Sequence, residues 1–364
     1  MRFRWLAASV GNYAPRLLGA FFCGSLILGG AACDRKDNTP DWDSSGIRAQ
    51  TTQETAAPVA TPIQAKTEAS PAPRVSKTDG SIPAIAEKST SEGLRFISYN
   101  VENWLTMDRY VDRKNLKGAP KPESEKQAVI QLLARHAPDV IGLCEIGEAI
   151  DLAEIQEDLK AAGLDLPHSR YTGGSDPTRH LGLLSRFPIT STAKPAESEY
   201  KLAGQTFAIN RGILDATLEA RSKSYRFIGV HLKSKRDSEQ GDQEAIRLHE
   251  ARLLRRHVDS ILATNADARL VVYGDFNDTR ATPAIKAITG NYNDPTYLTA
   301  IPAKDSRGEA WTHYWALHDI YSRIDFIMVS RGIRSDVDFQ AAKIIDDADW
   351  DKASDHRAVL GIFN

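Results

Sequence analysis

Cysteine is nearly absent: the 364 residues hold three, Cys23, Cys33 and Cys144. Cys23 and Cys33 fall in or at the end of an N-terminal export segment. Cys144 alone is then left for the body of the mature chain, so no intramolecular disulfide is available to it. Cys144 sits inside an apolar run and reads as a small hydrophobe. An excess of either charge is missing too. Lys and Arg number 46 against 48 Asp and Glu, a formal net charge of −2. That gives no global pull towards a polyanion, so any nucleic-acid contact has to rest on a local basic surface. Arg221, Lys223, Arg226, Lys233, Lys235 and Arg236 offer one; the competing reading is an ordinary solvated face. No internal repeat is visible.

Long apolar runs are also lacking. The one uncharged stretch near the N-terminus, Leu17–Ala32, is too short to span a bilayer comfortably. Arg2, Arg4 and Arg16 precede it and small residues end it, which is the layout of a secretory signal peptide over residues 1–32. It stops at Cys33 after Gly30-Ala31-Ala32. This resembles a bacterial lipoprotein signal, in which the cysteine becomes the lipidated first residue; Gly30 stands where such signals usually carry Leu. Residues 33–92 are rich in Ala, Thr, Pro, Ser, Lys and Asp, with almost no aromatics. Such a segment cannot bury enough surface to offset its ordering entropy and reads as a disordered tether. The expected product is an extracytoplasmic domain, monomeric and lipid-anchored to a bacterial membrane.

From Gly93 the character changes, and 41% hydrophobic residues suffice for a substantial core. Helical spacing covers Glu123–His136, Ala149–Ala162 and Gln240–Ala263. Strands are expected at Arg95–Tyr99, Asp139–Glu145, Gly182–Ser185, Phe207–Ala216, Tyr225–Leu232, Leu270–Gly274, Ile324–Val329 and Ala358–Ile362. Several strands per helix predict an α/β fold with two packed sheets and helices outside. Residues 93–364 read as one domain.

Five polar signatures follow or interrupt these strands. They are Ser98-Tyr99-Asn100-Val101-Glu102, Leu143-Cys144-Glu145, Val230-His231-Leu232, Gly274-Asp275-Phe276-Asn277 and Ser354-Asp355-His356. Asp275 and Asn277 point the same way if the backbone stays extended, and such a pair can deprotonate and orient water. Both are also ordinary turn residues. Gly274 lets the chain turn or approach a ligand. His356 can meet a developing phosphoryl charge if a carboxylate such as Asp325 fixes its tautomer. Glu145 ends an apolar run, where a carboxylate is costly unless paired or metal-bound. His231 alone reads as readily as a hydrogen-bonded core histidine.

In this order, the signatures resemble the endonuclease/exonuclease/phosphatase superfamily, whose fold is that of pancreatic deoxyribonuclease. Ser322-Arg323-Ile324-Asp325-Phe326-Ile327 is similar to its Asp-bearing strand, and His231-Leu232-Lys233-Ser234 to its secreted nuclease-like members. The resemblance covers about Leu94–Asn364. It implies a four-layered α/β sandwich of two mixed β-sheets flanked by helices, and a phosphodiesterase dependent on Mg²⁺ or Mn²⁺. It also implies site roles. Glu145 is the principal metal ligand, with Asn100, Glu102 and Asp355 around the metal. Asp275 and Asn277 handle water, His356 held by Asp325 stabilises charge, and His231 contacts a phosphate oxygen. Asn100 and Arg211 are candidate substrate-binding residues. Two departures stand out. Glu102 replaces a usual Asp, and its longer reach can alter the metal geometry or put it behind the first ligands. His180 follows Arg179 where many members have Gly, so neither residue inherits a role. The substrate class stays open between DNA or RNA and a phospholipid, sphingolipid or sugar phosphate. A non-catalytic binding module on the same fold is the alternative of another class.

Overall fold

Apolar, β-branched runs become strands and the helical spacings become helices. The computed structural model describes residues 93–111, 113–236, 241–316 and 318–364. The signal segment, Cys33 and the tether lie outside the described residues. In chain order the first half holds β1 (Leu94–Trp104), β2 (Met107–Val111), β3 (Lys114–Ala119), α1 (Glu123–His136), β4 (Val140–Ile146), α2 (Ala149–Ala161), β5 (His168–Thr172), β6 (His180–Ser185), β7 (Ile189–Thr192), β8 (Glu199–Leu202) and β9 (Gln205–Ala208). The second half holds β10 (Ile213–Ala220), β11 (Lys223–His231), α3 (Gln243–Thr264), β12 (Leu270–Asp275), α4 (Pro283–Thr289), β13 (Thr299–Ala300), β14 (His313–Trp315), β15 (Ile320–Ser322), β16 (Asp325–Val329), β17 (Lys343–Ile344) and β18 (Val359–Phe363). Among the described residues no helix is long and apolar enough to cross a membrane.

The strands form two six-stranded mixed sheets, ordered β17-β18-β1-β4-β6-β5 and β13-β16-β12-β11-β10-β7. Phe96, Cys144, Leu183, Leu214, Phe227, Tyr273 and Ile327 belong to the core between them. α1 and α2 cover the outer face of the first sheet, and α3 and α4 that of the second. The result is the expected helix–sheet–sheet–helix order. Phe96 meets Phe227 at 4.8 Å and Tyr273 at 4.9 Å between ring centroids. Truncating a phenylalanine in such a position costs about 3–5 kcal/mol. Gly142 makes room for this cluster, since a Cβ there would stand 1.9 Å from the Tyr273 ring.

Two boundaries differ from expectation, for local reasons. The expected Phe207–Ala216 strand is split into β9 and β10. Between them Gly212 is left-handed (φ +75°), and the Asn210 amide donates to buried Glu250 Oε1 at 2.8 Å. The third helix begins at Gln243 rather than Gln240, because the Asp242 side chain accepts from the Glu244 and Ala245 amides and caps it. Cys144 is buried as expected, and its thiol faces Val230 O at 3.5 Å. The suggested basic surface does not form as a unit. Arg226 grips Asp215 at 2.8 and 2.6 Å, Lys223 reaches Asp336 at 2.7 Å and Lys235 reaches Asp278 at 3.0 Å.

Topology places the site. β1 runs parallel to β4, and β11 parallel to β12, while β18 and β16 run antiparallel beside them. The C-terminal ends of the four parallel strands therefore share one end of the sandwich with the starts of β16 and β18. Every one of the five signatures lies there.

Candidate active site

The polar ends of these strands meet in a cleft of about 420 Å³, lined among others by Glu145, Arg211, His231, Asp275, Asn277, Asp355 and His356. β1 places buried Asn100 behind the cleft, against Asp275 and Glu145. The Asn100 amide donates to Asp275 Oδ2 at 3.1 Å and to Glu145 Oε1 at 3.3 Å, bridging the two sheets. Just beyond, β1 and β4 slip register, and Glu102, Asn103 and Glu145 adopt left-handed backbone (φ +48°, +57° and +66°). Strain of this kind persists only where the surroundings enforce it. Here the Asn103 amide donates to Glu145 Oε2 at 2.9 Å and holds the carboxylate at the cleft.

Asp275 and Asn277 come together by a different route from the one expected. Asn277 is left-handed (φ +51°), so extended alternation does not align the pair. Instead Asp275 Oδ1 accepts from the Asn277 amide at 2.8 Å, while the Asn277 side chain donates to Asp275 Oδ2 at 3.2 Å and to Leu232 O at 2.9 Å. The turn reading and the functional reading hold at once. Gly274 serves the fold: its φ is +134°, and an added Cβ would meet Val230 O at 1.9 Å. The close approach is to β11, not to a ligand. Burial, and then the Asp325 and Glu145 charges, push the Asp275 carboxyl up to about 7, against the pull of His356 and the Asn277 amide.

His356 Nδ1 lies 2.9 Å from Asp325 Oδ2. Its Nε2 faces the cleft, 3.7 Å from Asp275 Oδ2. Burial lowers its basicity, but the Asp325 and Asp275 charges more than reverse that, and the imidazole is held well above its ordinary pKa. His231 behaves oppositely. Burial, then Arg211 and His356, hold it well below its ordinary value, so it is neutral. Its Nε2 stands 3.4 Å from Asp275 Oδ2, and its buried Nδ1 has no hydrogen-bond partner. Arg211 is buried, lies 3.1 Å from Asp176 through Nε and keeps a buried Nη1 without a hydrogen-bond partner. Ser354 is structural: its hydroxyl donates to Asn100 O at 2.7 Å and accepts from the His356 amide at 3.0 Å.

Sequence reasoning missed several residues here. His313, on β14, bridges to His356 and meets its ring at 4.6 Å; its Nε2 is 3.7 Å from Asp355 Oδ2. Arg179, given no role from the sequence, lines the cleft and donates to Asn103 Oδ1 at 2.8 Å. Glu102, expected among the metal ligands, is not brought to the cleft: its Oε2 accepts from the Asp355 amide at 3.0 Å, behind the site.

The donor set fits a hard divalent cation. Glu145 and Asp355 present carboxylate oxygens into the cleft, and magnesium favours such oxygens plus water and substrate; Asn100 turns its Nδ2 to Glu145, while its Oδ1 accepts from the Glu102 amide at 3.0 Å. His313, Asp355 and His356 also offer ligand atoms within 4.8 Å of one another, as do Asp275, Asp325 and His356. In the second group His356 Nδ1 is committed to Asp325, which makes it a hydrogen-bonded relay rather than a cation cage.

A model of the Endonuclease/Exonuclease/phosphatase family matches residues 114–356. This chain belongs to that family. The family is one of phosphoester hydrolases that depend on a divalent metal. No curated protein matches the sequence. Among solved structures, an endonuclease/exonuclease/phosphatase of Bacteroides vulgatus is similar at 19% identity and a TM-score of 0.53, over 75% of this chain and 98% of that one. The sphingomyelinase C of Streptomyces griseocarneus is similar at 15% identity and 0.52, over 75% and 99%. The beta toxin of Staphylococcus aureus, solved with bound magnesium ions, is similar at 15% identity and 0.51, over 75% and 100%. At these identities the likeness concerns the fold, and the four-layered sandwich is the shared feature.

Proposed function

We propose that this chain is a phosphodiesterase using Mg²⁺ or Mn²⁺, nuclease-like, working as a monomer outside the cytoplasm from a lipid anchor at Cys33. The observation that carries the chemistry is the meeting of Asp275–Asn277, Asp325–His356, His231 and Glu145 in one cleft. Asp275 is buried and poised near neutral pH, which suits a general base taking a proton from water. Asn277 fixes its orientation. The His356 imidazolium, steadied by Asp325, faces the place where charge develops on the phosphoryl oxygens. Neutral His231 and Arg211, whose buried Nη1 has no hydrogen-bond partner, grip the phosphate. Glu145 and Asp355 would hold the divalent ion, which when bound supplies charge neutralisation on the phosphate.

The purified chain is expected to hydrolyse at least one of an aryl phosphodiester, DNA, RNA and sphingomyelin with Mg²⁺ or Mn²⁺. EDTA should stop it, and Asp275→Asn or His356→Ala should lower kcat by about 10²–10⁴. No metal-dependent hydrolysis across that panel would sink the reading. A lipid headgroup is the second reading, favoured by the near-neutral charge and the proposed anchor. Relative rates on the nucleic acids and on sphingomyelin vesicles separate the two.

A further inference from the structure

One wall of the cleft has no part in the chemistry just proposed. It is the β14–β15 hairpin, which sets Tyr314, Trp315 and Ala316 along the cleft beside His313. Its rings are braced by one another. Tyr314 stacks on Tyr321 at 4.4 Å and 24°, and Trp315 meets His318 at 4.0 Å. The Tyr314 hydroxyl donates to Asp319 Oδ1 at 3.0 Å, and Trp311 supports Tyr321 at 4.9 Å. A ring held this way loses little freedom when a planar ligand lands on it.

The same cleft carries Arg179, Arg211, Lys235 and Arg236. Lys235 and Arg236 are exposed. Aromatic faces beside cationic side chains, around groups built for phosphate, are what a single strand needs: its bases stack and its backbone meets positive charge. A duplex keeps its base faces hidden and offers rings only edges. At the hairpin's outer end exposed Ile320 and Tyr321 follow exposed His318 and Asp319, so a charged carboxylate interrupts that apolar tip.

We propose that the substrate is single-stranded nucleic acid, with a base beside the scissile phosphate stacked on the Tyr314–Trp315 wall and flanking phosphates taken by Arg179 and Arg236. The inference rests on the phosphodiesterase reading of the cleft and assigns that site its substrate class.

Binding is measured by fluorescence anisotropy on the full chain carrying Asp275→Asn, in Mg²⁺. The probes are a labelled oligothymidylate, an abasic oligomer of equal length and charge, and the oligothymidylate annealed to its complement. The base-bearing strand is expected to bind about 5- to 150-fold more tightly than the abasic one for each stacked base. With Tyr314→Ala and Trp315→Ala combined, the two strands should bind alike; with Phe at both positions the preference should persist. Thermal melts confirm that the variants are folded. Equal binding of base-bearing and abasic strands, or preference for the duplex, overturns the inference. Tighter binding of sphingomyelin vesicles than of the strand, lost with Trp315→Ala, also overturns it in favour of lipid. The two readings fail separately. Base preference in a chain whose wild type cleaves nothing supports the wall and removes the activity. Cleavage without base preference does the reverse.

Discussion

Asp325 stands behind His356 and beside Asp275 rather than in the wall of the cleft. It is buried, and it fixes which imidazole nitrogen faces the cleft. It also supplies the leading charge that holds His356 protonated against burial. A raised pKa means the proton stays on as pH climbs and leaves only at the alkaline end. Asp325→Asn is therefore expected to lower kcat by about 10²–10⁴ and to move the alkaline limb of the kcat–pH profile to lower pH. An alkaline limb that stays in place would show that Asp325 does not tune His356. Such residues were legible because Asp-x-Asn and Ser-Asp-His are compact marks beside apolar runs. His313 was not. Nothing in Thr312-His313-Tyr314-Trp315 signals a site, and the residue matters only because a long-range bridge lays it on His356. Of the two placements the resemblance left to it, Glu102 takes the one behind the first ligands. Its left-handed backbone turns the side chain behind Asp355, and extended alternation does not foresee that.

At the scale of elements, α1 was readable to its exact ends because Pro138 and an amphipathic spacing define it. The β2–β3 hairpin was not, since most of its residues are exposed or half-buried and leave no apolar period. The last strand is held by a clamp that periodicity cannot reveal. Asp336 Oδ2 accepts from Lys223 at 2.7 Å, the first residue of β11, and from Arg269 at 2.5 Å, just before β12, while its carbonyl accepts from the Asn364 amide at 2.7 Å. Burial pushes the Asp336 carboxyl up, but hydrogen bonds from Lys223, Arg269 and Ser335 outweigh it and bring the group to about 2. A carboxyl depressed in the folded state stabilises above its unfolded pKa of about 3.9, and that stability is lost as pH falls towards 2. Asp336→Asn is expected to lower the urea midpoint at neutral pH and to flatten the loss of stability between pH 4 and 2. A wild-type slope in the variant would show that the clamp contributes nothing.

At the scale of the molecule, the cleft joins two sheets whose shared core is built mainly of apolar side chains. Glu145 comes from the first sheet, Asp275 from the second, and Asn100 bonds to both. A cation bound there favours the folded chain by mass action, about 2.7 kcal/mol at a hundredfold excess over Kd. Mg²⁺ or Mn²⁺ should raise the thermal midpoint by about 5 °C, EDTA should reverse the rise, and Glu145→Gln should largely abolish it. An equal rise in Glu145→Gln would place the ion elsewhere. The architecture was legible because two sheets with outer helices leave a plain alternation of patterns. The order of the strands was less so, because pairing is settled by packing rather than by sequence neighbourhood. One pairing has a consequence for biosynthesis: β1 lies between β4 and β18, the first and the latest of the described strands thus standing side by side. Until β18 leaves the ribosome, a growing chain has Asn100 and Glu145 in hand but no strand to seat His356 beside them, and one edge of β1 stands open. A chain cut before β18 lacks the strand that pairs with β1 just beyond His356, and it cannot close this cleft.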